Sequence, residues 1–135
     1  MASNTHFSKG RKAPIRLGVY TVDLIFDFIK ANPREKYFID DEGNACKLRR
    51  ARIFHRKGIT CIVESCNLTG LYFAFDLWPN GGGEHFDLFA LDKDGNEVLM
   101  TIDHRHPKSK GGKNNFKNID TMCKYHNDLK ADNVL

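Results

Sequence analysis

Three residues in the last third of the chain, Asp103, His104 and Asn127, carry the side chains that hydrolysis of a phosphodiester needs. Such a reaction calls for a base that deprotonates water, a cation that neutralises charge developing on the phosphate, and positioning of both. Asp103 and Asn127 offer hard oxygen ligands suited to Mg²⁺ or a similar divalent ion. His104 is then free to act as general base, because an imidazole titrates near neutrality. Adjacent strand residues point to opposite faces, so the Asp-His pair can share a site only where the strand breaks. Pro107 and Gly111-Gly112 follow closely and predict that break. A helix expected from about Lys124 to Ala131 would bring Asn127 back to the pair. His106 lies beside the same loop, where it could touch a phosphate or stay at the surface, and His85 is expected to be structural.

A second constellation has metal-ligand spacing. Cys61 and Cys66 form a C-x4-C pair, and Cys123 and His126 form a C-x2-H pair. Two ligand pairs far apart in sequence are the signature of a structural zinc site, here Cys3His with tetrahedral closure. The alternative is three buried free cysteines and a surface histidine. Cys46 has no partner in this scheme and is expected in the core. With no export signal at the start of the chain, a disulfide framework is not expected.

Asp103-His104, Pro107, Ser109, Gly111-Gly112, Asn118, Cys123, Asn127 and Lys130 also follow one another in the order of a known motif. On these residues the segment resembles the HNH endonucleases, whose motif closes with Cys-x-x-Cys-Asn and a Lys. The chain departs from that pattern at the wider Cys61/Cys66 pair and at His126, which stands in place of the fourth cysteine. The resemblance implies an α+β fold around a ββα-metal (His-Me finger) unit with antiparallel strands, short helices and a zinc knuckle. It implies that Asp103 and Asn127 hold the catalytic metal, that His104 activates the water, and that Asn118 braces the long loop by hydrogen bonding. DNA is the implied substrate, nicked or cut as duplex, in a mobile-element or bacteriophage setting. Arg105, Lys108, Lys110, Lys113 and Lys117 fall in or beside the loop and are expected to contact the nucleic-acid backbone.

Charge placement agrees with such a partner. The net charge is +4 over 135 residues. Residues 1–58 hold thirteen Lys and Arg against six acids, residues 59–102 one against seven, and residues 103–135 seven against four. Basic ends around an acidic middle suit a polyphosphate, since each Lys or Arg that neutralises a phosphate releases condensed counterions. An apolar content of 41% argues against disorder. The length allows one domain and not two independent cores. No apolar run is long enough to span a membrane and no secretory leader is present, so a soluble, cytoplasmic protein is expected.

Three regions are expected to position the site. Residues 1–16 read as a flexible basic arm. Residues 17–58 form an extension made of three elements. The first is an amphipathic helix from Tyr20 to Ala31 with Thr21 as N-cap and Pro33 past its end. A hairpin follows, pairing Tyr37–Ile39 with Ala45–Leu48 through a Gly-Asn turn. The third is a basic helix from Arg49 to Lys57 ended by Gly58, a candidate for lying against phosphates. Residues 59–135 would be the nuclease core with its zinc clip, containing strands over Leu71–Leu77, Phe86–Leu91 and Val98–Ile102. The Gly81–Gly83 run marks a mobile loop and not a phosphate cradle, since no Lys-Ser or Lys-Thr pair follows it. Rival readings are a nucleic-acid-binding zinc module that no longer cuts, a ribonuclease or toxin nuclease, and an assembly factor in a nucleoprotein machine.

Overall fold

The computed structural model describes residues 13–105 and 116–131. In chain order its elements are β1 (Ile15–Thr21), α1 (Val22–Ala31), β2 (Tyr37–Ile39), β3 (Ala45–Lys47), α2 (Arg49–Lys57), β4 (Tyr72–Trp78), β5 (Gly83–Leu91), β6 (Glu97–His104), β7 (Ile119–Cys123) and α3 (Lys124–Ala131). A 3-10 turn at Phe116–Asn118 leads into β7.

Local chemistry sets the ends of these elements. The Thr21 hydroxyl accepts a hydrogen bond from the Leu24 N–H at 3.1 Å and so caps α1. Asp23 in the first turn and Lys30 in the last complement the helix dipole. In the β2–β3 hairpin the Asp40 carboxylate accepts bonds from the Glu42 and Asn44 N–H groups at 3.0 and 2.8 Å, and Gly43 takes a φ of +83° that suits glycine. Helix α2 stops at Gly58, whose φ is +103°. Its start is less favourable: Leu48 offers no side-chain cap, and Arg49 and Arg50 occupy the first turn. Cations at a helix N-terminus oppose the macrodipole, by roughly a few tenths of a kcal/mol each when exposed.

Five strands form an antiparallel sheet in the order β1-β4-β5-β6-β7, and β2-β3 stands apart. Phe73 and Phe75 of β4 and Phe86, Leu88 and Ala90 of β5 recur with period two and are buried. Against them pack Val22, Ile25 and Ile29 from α1 and Ala51 and Phe54 from α2, with Cys46 and Leu48 alongside. Burial of each large apolar side chain contributes about 1.5–3 kcal/mol. This one core joins α1, the hairpin and α2 to the sheet, to Cys61 and to Met122 and Cys123 of β7. Among the described residues no helix is long and apolar enough to cross a membrane.

The expected arm ends earlier than residue 16, because β1 begins at Ile15 and pairs with β4 through a bulge between Arg16 and Gly18. Its apolar residues Ile15, Leu17 and Val19 remain exposed, so the segment lacks the inward-apolar alternation that marks a half-buried strand. What anchors it is charge. The Arg16 guanidinium donates to both carboxylate oxygens of Asp76 at 2.9 and 3.0 Å and to Glu97, and lies 4.9 Å from the Phe89 ring centre. Tyr72 also donates to Glu97. Asp76 and Glu97 are 2% and 3% exposed, so removing the arginine would strand two buried carboxylates. Arg16→Ala is expected to destabilise the fold by about 3 kcal/mol, read as a lower urea midpoint. An unchanged midpoint would show that the carboxylates find other compensation.

Candidate functional site

Strand β6 changes partners along its length. Its first part pairs with β5 through Leu99, Val98 and Glu97, and its second pairs with β7 from Met100↔Cys123 to His104↔Ile119. The β6–β7 hairpin and α3, which packs on both strands, make a ββα unit. Thr101 and Asp103, two residues apart, share the face of β6 that meets α3. There the Asn127 side-chain amide donates to the Thr101 hydroxyl at 2.8 Å. One turn further along α3, the Lys130 ammonium donates to the Asp103 carboxylate and, at 2.7 Å, to the His104 carbonyl oxygen. Asp103 and Asn127 are therefore brought to one strand–helix layer.

His104 is placed otherwise than expected. The ladder with β7 runs through it, and the chain bends only at Arg105. Alternation thus directs Asp103 and His104 to opposite faces of the last ladder pairs. The strand does not break at the pair because β7 offers a hydrogen-bonding edge as far as Ile119. The Asp-His pair still sits at a strand-to-loop junction.

Around that junction Arg105 and Asn118 close the base of the loop, with the Arg105 N–H donating to the Asn118 carbonyl at 2.6 Å. The Arg105 guanidinium is engaged by the Asp120 carboxylate through two bonds of 2.9 and 2.8 Å. This fork, more than the opposing desolvation, holds the Asp120 carboxyl below its ordinary value. A carboxyl lowered in the folded state stabilises the fold above its unfolded value near 3.8 and loses that contribution as pH falls through the lower folded value. Wild type should therefore exceed Asp120→Asn in urea midpoint at pH 5 to 7, the two converging as the pH drops below that range; parallel curves would contradict the linkage. Lys117 is exposed at the centre of the 3-10 turn. His106, Lys108, Lys110 and Lys113 lie outside the described residues.

Where the ββα unit meets the chain after α2 lies the cysteine and histidine cluster. Cys61 and Cys66 occupy a knuckle after α2, closed by backbone bonds from Cys61 N–H to Leu68 O at 3.0 Å and from Cys66 N–H to Val63 O at 2.9 Å. The knuckle is joined to β7 by Ile62 N–H donating to Thr121 O at 2.8 Å and by the Thr121 hydroxyl donating to Gly58 O at 2.6 Å. Cys123 ends β7, and His126 sits one turn into α3. The four candidate ligand atoms, three Sγ and a histidine ring nitrogen, all lie within 4.8 Å of one another. Cys66 Sγ is 3.9 Å from Cys123 Sγ, and His126 Nδ1 is 3.2 Å from Cys123 Sγ. Thiolates at ~2.3 Å from a tetrahedral zinc stand about 3.8 Å apart, so this donor set fits that ion. Burial, and then the Cys61 and Cys66 sulfurs, push the Cys123 thiol up to about 12. As neutral thiols the three sulfurs can share this space; as thiolates they would need a cation between them. Cys46 is separate, fully buried in the apolar core.

His85 lies inside β5 rather than before it, half exposed, and contacts the Gly82 carbonyl at 2.9 Å. Two features were missed from sequence. Lys130 as the partner of Asp103 could have been found from its three-residue spacing from Asn127, which shares a helix face. The Tyr125 hydroxyl, donating to Asp92 at 3.1 Å and so tying α3 to the β5–β6 turn, had no signal.

Residues 91–133 match the family model of the HNH endonuclease. The match spans β6, β7 and α3, and it supports a nuclease-type function for the ββα unit. No curated protein and no solved structure matches the chain.

Proposed function

We propose that the protein is a metal-dependent HNH endonuclease that hydrolyses DNA phosphodiester bonds. The observation that carries this reading is the packing of α3 on β6, which sets Asn127 and Asp103 on one layer with a cationic ammonium already accommodated beside the Asp103 carboxylate. Asp103 and Asn127 would hold a divalent ion such as Mg²⁺. When bound, that ion neutralises charge on the scissile phosphate. His104, at the strand end and directed to the other face, takes the proton from the attacking water. In-line displacement needs the nucleophile and the leaving oxygen on opposite sides of phosphorus, and groups on two faces of a strand end can serve the two sides. Lys130 fixes the Asp103 carboxylate and the backbone of His104 together. Asn118 braces the loop base, and Cys61, Cys66, Cys123 and His126 hold structural zinc. Arg105, Lys108, Lys110, Lys113 and Lys117 would line the path of the backbone, with the basic residues ahead of Ile15 as an arm.

The test is conversion of supercoiled plasmid to nicked or linear DNA by zinc-loaded protein with added Mg²⁺ or Mn²⁺, run beside RNA and single-stranded substrates. Asn127→Ala should raise the half-saturating Mg²⁺ concentration by at least about tenfold, the lower bound set by losses at the outer partners of metal ligands. Cleavage that needs no divalent ion, or an unshifted Mg²⁺ dependence in the variant, would remove the metal-holding role.

A further inference from the structure

Away from the ββα unit, a cleft of about 290 Å³ lies where the chain between α1 and β2 meets β3 and α2. Tyr37 and the side-chain stems of Arg34, Lys36, Lys47, Arg49 and Arg52 give it mostly apolar walls, ringed by those five cations with Glu35 as the single acid. Among the described residues, Arg34, Lys36, Lys47 and Arg49 have no carboxylate partner. Arg52 spends its guanidinium on backbone, donating to the Asn32 carbonyl at 2.9 Å and to the Glu35 carbonyl, so it shapes the cleft without losing its charge. Stability does not explain this grouping. Arg49 opens a helix whose dipole repels it, beside an uncapped Leu48, and the cations repel one another.

The charge continues along α2. Arg49, Arg52 and Arg56 are spaced three and four residues apart, which sets them in one stripe on the helix. At its far end the Arg56 guanidinium lies 3.7 Å over the Phe116 ring, in the turn that leads into β7. Gly58 accepts the bond from Thr121, next to Asp120, the cross-strand partner of Asp103. The stripe thus runs from the cleft to the strand pair that carries the candidate catalytic aspartate.

We propose that this cleft and stripe form a binding track for the sugar-phosphate backbone of duplex DNA, anchoring the duplex beside the segment that is cut. Arg49 and Arg56 are seven residues apart on the helix, about 10 Å, or about three base pairs at 3.4 Å each. The cleft therefore grips phosphates about three base pairs from those near Phe116. The contacts are to phosphate alone, so the track adds affinity without sequence preference. It rests on the nuclease reading only for its choice of partner.

The test is binding of a short fluorescent duplex, without added divalent ion, between about 50 and 200 mM salt. Relative to wild type, Arg34→Ala/Lys36→Ala/Arg49→Ala is expected to make the slope of log affinity against log salt shallower by about 2 to 3, close to 0.9 for each lost contact, alike for unrelated duplex sequences. The charge-keeping variant Arg34→Lys/Lys36→Arg/Arg49→Lys should restore the slope, which separates charge from damage to the fold. An unchanged slope in the alanine variant, or no recovery in the charge-keeping one, overturns the track. So does a loss confined to an RNA duplex. Displacement of the duplex by millimolar inorganic phosphate in wild type, absent in the alanine variant, would reassign the cleft to a small phosphate ligand. If the slope changes as expected and wild type never cleaves, the track stands and the nuclease reading fails. If wild type cleaves and the slope is unmoved, the reverse holds.

Discussion

Replacing His104 by alanine is expected to slow plasmid cleavage by about 10²–10⁴-fold, the usual contribution of a positioned general base. The loss should fall in kcat, with KM and duplex binding little changed, because a general base acts on the water and not on the backbone of the substrate. The main-chain contacts of this strand end survive the substitution. His104 contributes to the β6–β7 ladder through its main chain, its carbonyl still accepts from Lys130, and the residue is only half buried. Its neighbour gives the contrast: losing the Asp103 carboxylate would also free Lys130 and should alter the Mg²⁺ dependence together with the rate. Persistent cleavage by His104→Ala, at close to the wild-type rate, would assign the base elsewhere and leave His104 with a backbone role.

Stripping zinc is the second large effect. Metal binding in small zinc domains is coupled to folding by on the order of 10 kcal/mol, comparable to the 5–15 kcal/mol of net stability of an ordinary domain. The four ligands come from the knuckle, the end of β7 and the first turn of α3, so the ion would be the common tie of three segments. One zinc per chain by native mass spectrometry, and a melting temperature that collapses with a strong chelator, are expected. Cys123→Ala should lose the ion and the chelator response together, whereas Cys46→Ala, in the apolar core, should keep both. A wild-type protein that carries no zinc and melts identically with and without chelator would return the cluster to three buried thiols and a histidine.

Periodicity in the sequence makes much of this molecule legible. Val22, Ile25 and Ile29 announced α1, Thr21 its cap and Gly58 the end of α2, and each of these is a local signal. The turns after Trp78 and Leu91 likewise delimited β4, β5 and β6. Strand β1 was not legible, because an edge strand with Ile15 and Val19 facing outward is specified by its partner β4 and by the Arg16 ion pairs. The meeting of Cys61 and Cys66 with Cys123 and His126 could be read from paired spacing, since few other arrangements satisfy four such side chains. The relation of His104 to Asp103 could not. It depends on how far β7 extends the ladder, a long-range pairing that Pro107 and the glycines beyond it do not reveal.

The strand that changes partners also bears on portability. The family match begins at residue 91, yet β6 is stitched to Phe89, Ala90 and Leu91 on one side and to β7 on the other. A piece excised at that boundary would leave behind most of the neighbouring strand and two of the four members of the cysteine and histidine cluster, Cys61 and Cys66. The recognisable module is smaller than the transplantable one: what carries the chemistry could be grafted elsewhere only with the knuckle and the sheet that hold it.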